Sequence, residues 1–500
     1  MLVTGASVAR HGRAMSHDST TEIAESLGVP SIEEELVGAL FGDARLSARL
    51  VTLGTQLAGA PGVGLPDGIR NDSQLECAYR FLSNRRVTAQ RMLEPHQRQT
   101  YARIARRTEA VVAHDTTEME FGGWREGLGP LSSGRRQGFF LHLSLAVAAD
   151  ESRQPLGVLA ERCWVRSATR RPKRHGRRLN GPDLRKLPDR ESSRWAEQVR
   201  EVEAQKPEGV SLVHVGDRET DAFEMFEAMQ GLRFVLRANH DRRVDDEGEP
   251  VHLREACDRA LVTLTFDVSV SPRNAKKQPG AAKAHPARSA RVARVGVRGL
   301  VVHLREPYVR NGTRLRVHVV HVREIEPPAG EDPIDWTLYT SEPIDTPEQL
   351  QRVVSLYRTR WVIEEFFKAL KTGCEVQRLQ LETYAALRNA VVLHLPIAWQ
   401  ILLLRSISRV EPDAPAAQAL TPTQLDVLRA MSRRPLRTNP TVGEAMLAVA
   451  VLGGYLVTKA KGPPGWITLG RGMQRLLQFE QGWIASRAAL ARPGSDPLEH

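Results

Sequence analysis

A chain of 500 residues with 41% hydrophobic and 26% charged side chains is ordinary globular material, long enough for about three domains with sizeable cores. Lysine and arginine number 70 against 59 acids, and 60 of the 70 are arginine, whose guanidinium grips phosphate with two bonds and stacks on bases; a high-GC genome leaves the same bias. The four cysteines, Cys77, Cys163, Cys257 and Cys374, stand far apart with no Cys-x-x-Cys pair, which argues against a zinc ribbon or a disulfide framework and fits a reducing cytoplasm.

Residues 41–96 carry a helical pattern. Asp43 caps a stretch with Leu46, Leu50, Leu53 and Leu57; a turn-rich segment, 60–66, follows; Asp72 precedes Leu75, Ala78, Tyr79 and Leu82; and Thr88 caps the helix leading out. The texture changes at Val111, where apolar runs at 110–113, 139–149, 156–160 and 210–215 read as strands, followed by a helix over 220–229 and a strand over 234–237. Residues 240–336 alternate like strands again, at 261–268, 290–302 and 314–322, and read as an inserted antiparallel region. Thr346-Pro347-Glu348-Gln349 combines an N-cap, a first-turn proline and a capping-box glutamine, and predicts one long helix running to Lys371. Residues 384–405 and the segments around Leu425, Ala445 and Leu476 complete an α-helical C-terminal part. The longest apolar stretch, 390–404, contains His394, Pro396 and Gln400 and is too short and too polar to cross a bilayer. Met15 is a candidate translation start, and Leu498-Glu499-His500 resembles an expression-vector scar.

Two basic runs, 162–178 and 273–298, each hold eight Lys/Arg and no acid. Together they exceed the net charge of the whole chain, +11, so the positive charge is local, as on surfaces that track a phosphate backbone or on solvated loops.

Two strands end in acids: 110–114 leads into Asp115-Thr116-Thr117, and 213–215 into Gly216-Asp217-Arg218-Glu219. In open α/β sheets that edge is where sites are built, although an aspartate there is also a good helix cap. On the long helix, Tyr357, Arg360, Glu364 and Lys371 fall on one stripe, beside an apolar stripe of Leu356, Ile363, Phe367 and Leu370 that can anchor the helix to a sheet. The polar stripe is either a ligand face or an exposed face with an Arg360–Glu364 ion pair.

These motifs, Asp-Thr-Thr, Asp-Arg-Glu-x-Asp and Tyr-(2)-Arg-(3)-Glu-(6)-Lys, resemble those of the bacterial DDE transposases of the insertion-sequence-four group. The three acids are separated by 102 and 147 residues, which suits an RNase H-like core with an insertion before the last acid. The resemblance implies an α/β RNase H-like catalytic domain over 89–408, with its β insertion at about 238–336. It places a helical transposon-end DNA-binding domain over 1–88 and a helical dimerisation domain over 409–500. It makes Asp115, Asp217 and Glu364 the catalytic triad, holding two Mg2+ with Mn2+ able to substitute, and the lack of a His/Cys cluster argues against zinc. Glu365, the competing third acid, lies off the stripe.

Tyr357, Arg360, Lys371 and Arg237 are then expected on the phosphates of the transferred strand, with Lys368 adding a backbone contact and Trp336 stacking on a flipped base. Trp361 reads as core packing. The expected partners are duplex transposon ends, target DNA and a second copy of the chain, in a bacterial, nucleoid-associated setting with no membrane. No nucleotide cofactor is expected, because transesterification conserves bond energy and no Gly-x-x-x-x-Gly-Lys loop occurs.

Overall fold

The strands expected to end in Asp115 and Asp217 lie side by side in a computed structural model, which describes residues 29–490 except 135, 167–172, 175–176, 179–189, 271, 273–286, 308, 310–311, 433–434 and 458–463. Both candidate chain ends, residues 167–172 and 175–176 of the first basic run and residues 273–286 of the second fall outside the described residues.

The described residues open with five helices: α1 Ile32–Leu36, α2 Ala44–Ala58, α3 Leu65–Gly68, α4 Asp72–Leu82 and α5 Ala89–Ala105. Asp43 and Thr88 cap α2 and α5 as their sequence positions predict, and Asn71 caps α4. The β-rich middle has strands β1 Glu109–Glu120, β2 Gly129–Pro130, β3 Gln137–Ala148, β4 Pro155–Trp164, the short β5 Lys173–Arg174 and β6 Arg177–Arg178, and β7 Ser211–Gly216. It continues with β8 Arg233–Arg237, β9 Arg243–Asp246, β10 Glu249–His252, β11 Leu264–Val270, β12 Arg291–Arg305, β13 Arg314–Glu324 and β14 Asp335–Thr340. Three helices interrupt it: α6 Glu191–Ala204, α7 Phe223–Ala228 and α8 Leu253–Arg259. Helices α9 Pro347–Thr359, α10 Trp361–Lys368, α11 Tyr384–Val410, α12 Pro422–Met431, α13 Val442–Leu452 and α14 Trp466–Leu490 close the chain.

Twelve strands form one mixed sheet in the order β10-β9-β12-β13-β14-β8-β7-β1-β3-β2, with β11 beside β12 and β4 beside β3. β1, β7 and β8 run parallel at its centre. The inserted strands extend this same sheet, because β14 pairs antiparallel with β8, Leu338 opposite Arg237. α9 and α10 pack on one face and α6 on the other.

Helix α11 is the spine of the molecule. It is 27 residues long and apolar enough to cross a membrane by length and composition, which corrects the shorter, more polar segment expected; 83% of its most apolar window is buried inside the protein, so it is a core helix. The N-terminal helices dock on it: Asn389 donates to the carbonyls of Leu82 and Val87 at 2.9 and 3.1 Å, and Gln400 to that of Pro30 at 2.6 Å.

Three sequence expectations need correction. Asp115 does not end its strand: β1 continues five residues further, because antiparallel pairing with β3 persists to Glu120–Gly138 after the parallel pairing with β7 stops. The helix expected over 220–229 is a 3₁₀ turn, Arg218–Thr220, followed by the short α7. The long helix to Lys371 breaks at Arg360 and ends in a π turn, Ala369–Gly373. Its capping box at Thr346 forms as expected, and Leu356, Ile363, Phe367 and Leu370 are all buried.

Candidate active site

The parallel register of β1 and β7 runs to His114 opposite Gly216, so the next residues are Asp115, still on β1, and Asp217, just past the end of β7. Adjacent strands lie about 4.8 Å apart, so the two acids share one rim of the sheet. Asp115 Oδ1 accepts from the Thr116 amide at 2.8 Å, and Asp217 Oδ1 from the Glu219 amide at 2.8 Å, capping the 3₁₀ turn. Glu364 comes from α10, which packs on β1.

Arg360 joins these elements. Its Nη1 lies 3.3 Å from Asp115 Oδ2 and its Nη2 donates to Glu364 Oε1, while the residue is only 4% exposed. The helical ion pair at Arg360–Glu364 therefore forms, but inside the site and not on an exposed face. Burial pushes the Asp115 carboxyl up to about 7, and Asp217 and Glu364 push the same way, against the pull of Arg360. Burial lowers the Lys371 ammonium; the acids that draw it back up are Glu118, Asp115 and Glu120, which places it over β1.

The other expected contact residues form a continuation of this rim. Tyr357 is 1% exposed and its hydroxyl has no hydrogen-bond partner among the described residues. Its ring lies 5.9 Å from that of Trp336, which is half-buried on β14. Arg237 Nη2 donates to the Asp335 carbonyl at 3.1 Å, beside Trp336. Lys368 is exposed at the end of α10. Glu365 pairs away from the site with Arg409, at 2.9 Å. Trp361, expected in the core, is 49% exposed, with the Arg360 guanidinium 5.2 Å from its ring, because the break at Arg360 starts α10 with this residue outward.

A polar layer on the opposite face of the sheet was not legible in the sequence. Side chains alternate along a strand, so His114 and Thr116 point away from Asp115, toward α6. Gln198 donates to Ser144 Oγ at 2.8 Å, leaving the hydroxyl proton for His114 Nδ1 at 3.0 Å. His114 Nε2 then meets His214 Nδ1 at 2.8 Å, and His214 Nε2 meets Glu203 Oε1 at 2.9 Å. This series gives each ring nitrogen of the two histidines a partner, and burial lowers His114 well below the usual histidine range. His142 accepts the Thr116 hydroxyl at 3.0 Å and stacks on Trp195 at 4.3 Å; burial, then Arg162, lowers it to about 3. The layer ties β1, β3 and β7 together directly beneath the acids. The only sequence signal for it is a histidine one residue before Asp115 and another three before Asp217.

Comparison with known families finds the transposase DDE domain over residues 79–399 and a transposase DNA-binding domain over residues 31–87. The chain belongs to the DDE transposase family. It is accordingly a metal-dependent enzyme acting on DNA, with an RNase H-like α/β core.

The site fits a divalent ion in its donor chemistry: carboxylate oxygens at a rim where burial and like charge raise one acid to about 7. Among the described residues no three His, Cys, Asp or Glu side chains stand close enough to share one metal ion. Arg360 stands between two of the acids instead.

Proposed function

We propose that this chain is a cut-and-paste DNA transposase of the insertion-sequence-four group, with Asp115, Asp217 and Glu364 as the acids that hold two Mg2+ ions, Mn2+ substituting. The observation that supports this best is the meeting of Asp115 and Asp217 at the point where β1 and β7 part, with Arg360 linking Asp115 to Glu364. Bound divalent ions supply an activated water or hydroxyl and stabilise the leaving oxygen. The reaction nicks the transposon end, uses the freed 3′-OH to form a hairpin, reopens it, and joins that 3′-OH to target DNA.

The chain's own residues position the strand. Lys371 and Arg237, on either side of the acids, take its phosphates together with Arg360 and Tyr357, and Lys368 adds an outer contact. Trp336 leaves its contact with Tyr357 to stack on a base turned out of the duplex, an exchange worth about 1–3 kcal/mol. Residues 1–88 read the transposon end and residues 409–500 serve a homodimer that holds two ends together, since each protomer has one site.

The test is cleavage of labelled duplexes carrying candidate inverted-repeat ends, with Mg2+, by wild type and Glu364→Ala on a denaturing gel. Nick, hairpin and double-strand break bands that vanish in the variant support the reading. Nicked ends alone, with no joining, would make the protein a nuclease, and band shifts without cleavage would make it an end-binding protein.

A further inference from the structure

Arg360 occupies an odd place for a residue whose task is to grip DNA. It is 4% exposed, and its two amino groups go to two different carboxylates, Asp115 on β1 and Glu364 on α10. That is not the parallel fork in which one carboxylate takes both donors and an arginine pair is strongest. The Asp115 contact is long, at 3.3 Å, and the buried Nε has no hydrogen-bond partner among the described residues. The guanidinium is therefore seated by charge more than by fit.

The backbone beneath it is built to turn. Arg360 lies at the junction of α9 and α10, where its amide bonds to the Tyr357 carbonyl and its own carbonyl accepts from Ile363, both at 3.1 Å and both spanning three residues in place of four. A tightened step of this kind inside a helix often marks a functional hinge, here with Arg360 itself still at helical angles, φ −53° and ψ −31°. The guanidinium rests 5.2 Å from the ring of Trp361, which is 49% exposed, so an aromatic path leads from the buried seat to the surface.

The charge count completes the picture. One guanidinium faces two carboxylates, Asp115 and Glu364, while Asp217, which acts on Asp115, lies within reach of Arg218. A divalent ion in the same place carries twice the charge in less volume and accepts hard oxygen donors without needing a planar fork.

We propose that Arg360 is a placeholder cation: in the DNA-free protein it neutralises the acids and holds α10 against β1, and a divalent ion entering the site displaces it outward, where it is delivered to the phosphate of the incoming strand. This rests on the reading of Asp115 and Glu364 as metal ligands. It reconciles a DNA-contact residue with a buried position, and it couples metal entry to presentation of a phosphate-binding group.

The test uses the full chain without DNA. Phenylglyoxal labelling of wild type, read peptide by peptide by mass spectrometry in EDTA and in millimolar Mg2+, should show Arg360 labelled several-fold faster with Mg2+, while Arg291, held by Glu324 and Glu331, is unchanged. In parallel, Mn2+ titration followed by electron paramagnetic resonance should find Arg360→Gln binding about tenfold tighter than wild type, the step expected from removing one charge-assisted contact. Asp115→Asn should lose the binding. Arg360 labelling indifferent to Mg2+, with Mn2+ binding still abolished in Asp115→Asn, overturns the displacement and leaves the acids as ligands. Mn2+ binding that survives in Asp115→Asn overturns the ligand assignment and the exchange with it. If Arg360→Gln does not fold, the wild-type labelling decides alone.

Discussion

Removing the Asp115 carboxylate, the proposed metal ligand, should make the resting protein more stable. Asp115 titrates at about 7 in the fold against 3.8 when exposed, because burial, Asp217 and Glu364 oppose its ionised form more than Arg360 favours it. At pH 8 the ionised carboxylate is then about 4 kcal/mol less favourable in the folded chain than in the unfolded one. Asn is close in shape to the neutral acid and keeps an oxygen for the Thr116 amide, which now bonds Asp115 at 2.8 Å. The folded state binds the extra proton between pH 4 and 7, so Asp115 costs wild type stability as pH rises through that window, and the gap to Asp115→Asn opens there. Thermal melts in EDTA should show no gap at pH 4, and at pH 8 a variant that melts several degrees higher. Mg2+ should close the gap by stabilising wild type alone, since only a folded state with its acid intact gains from binding. A gap that does not change with pH, or a wild type that melts higher at pH 8 in EDTA, would refute the electrostatic account of the site.

Five other outcomes can be checked one by one. Glu35 is fully buried between His96 and Arg103, so Glu35→Ala strands two partners and should cost about 3–5 kcal/mol in a urea melt. The same cluster makes the N-terminal helices acid-labile. Burial raises Glu35 but His96 and Arg103 outweigh it, leaving the acid lowered, and burial lowers His96, so the His96 contribution is lost as pH falls below 6.5 and that of Glu35 as it falls below 4.5; a melting temperature that stays flat from pH 7 to 4 in Asp115→Asn, where the opposing titration of Asp115 is absent, would contradict this. Gly138→Ala would put a methyl 1.9 Å from the Met119 carbonyl oxygen between β1 and β3, and soluble yield should collapse; wild-type yield would show that the register can shift. Trp336→Ala should spare the first nick and impair hairpin formation, and equal loss of both steps would remove the stacking role. End binding should weaken with salt at a log-log slope near −0.9 per phosphate contacted, and a flat response would remove the case for the basic runs.

What could be read in the chain and what could not divide along a physical line. Helix starts with side-chain caps, such as Thr346 and Thr88, and strands with continuous apolar runs, such as β3, were legible because their determinants are local. The end of β1 was misread because its last residues alternate only weakly, with Met119 alone buried among Glu118, Glu120 and the threonines, and a partner 20 residues on decides its length. The break at Arg360 has no proline or glycine to announce it; it accompanies the pull of Asp115, 245 residues away in sequence. Helix α6 went unread although Trp195, Val199 and Val202 mark its buried face, because charged residues crowd them. For the site, the acids were visible as motifs, whereas the histidine layer under them and the inward turn of Arg360 exist only once three strands and a helix meet.

The continuity of the sheet from β1 through β8 and β14 into the insertion sets a limit on how this protein could be rebuilt. Residues 238–334 look in sequence like a detachable module, yet cutting them out would leave Asp335–Thr340 as a bare sheet edge, a template for pairing between copies. Shortening the protein therefore calls for trimming loops between the inserted strands. The hydrogen-bond ladder that carries Trp336 and Arg237 to the acids must be kept whole, so any miniaturised version inherits the breadth of the sheet along with the chemistry.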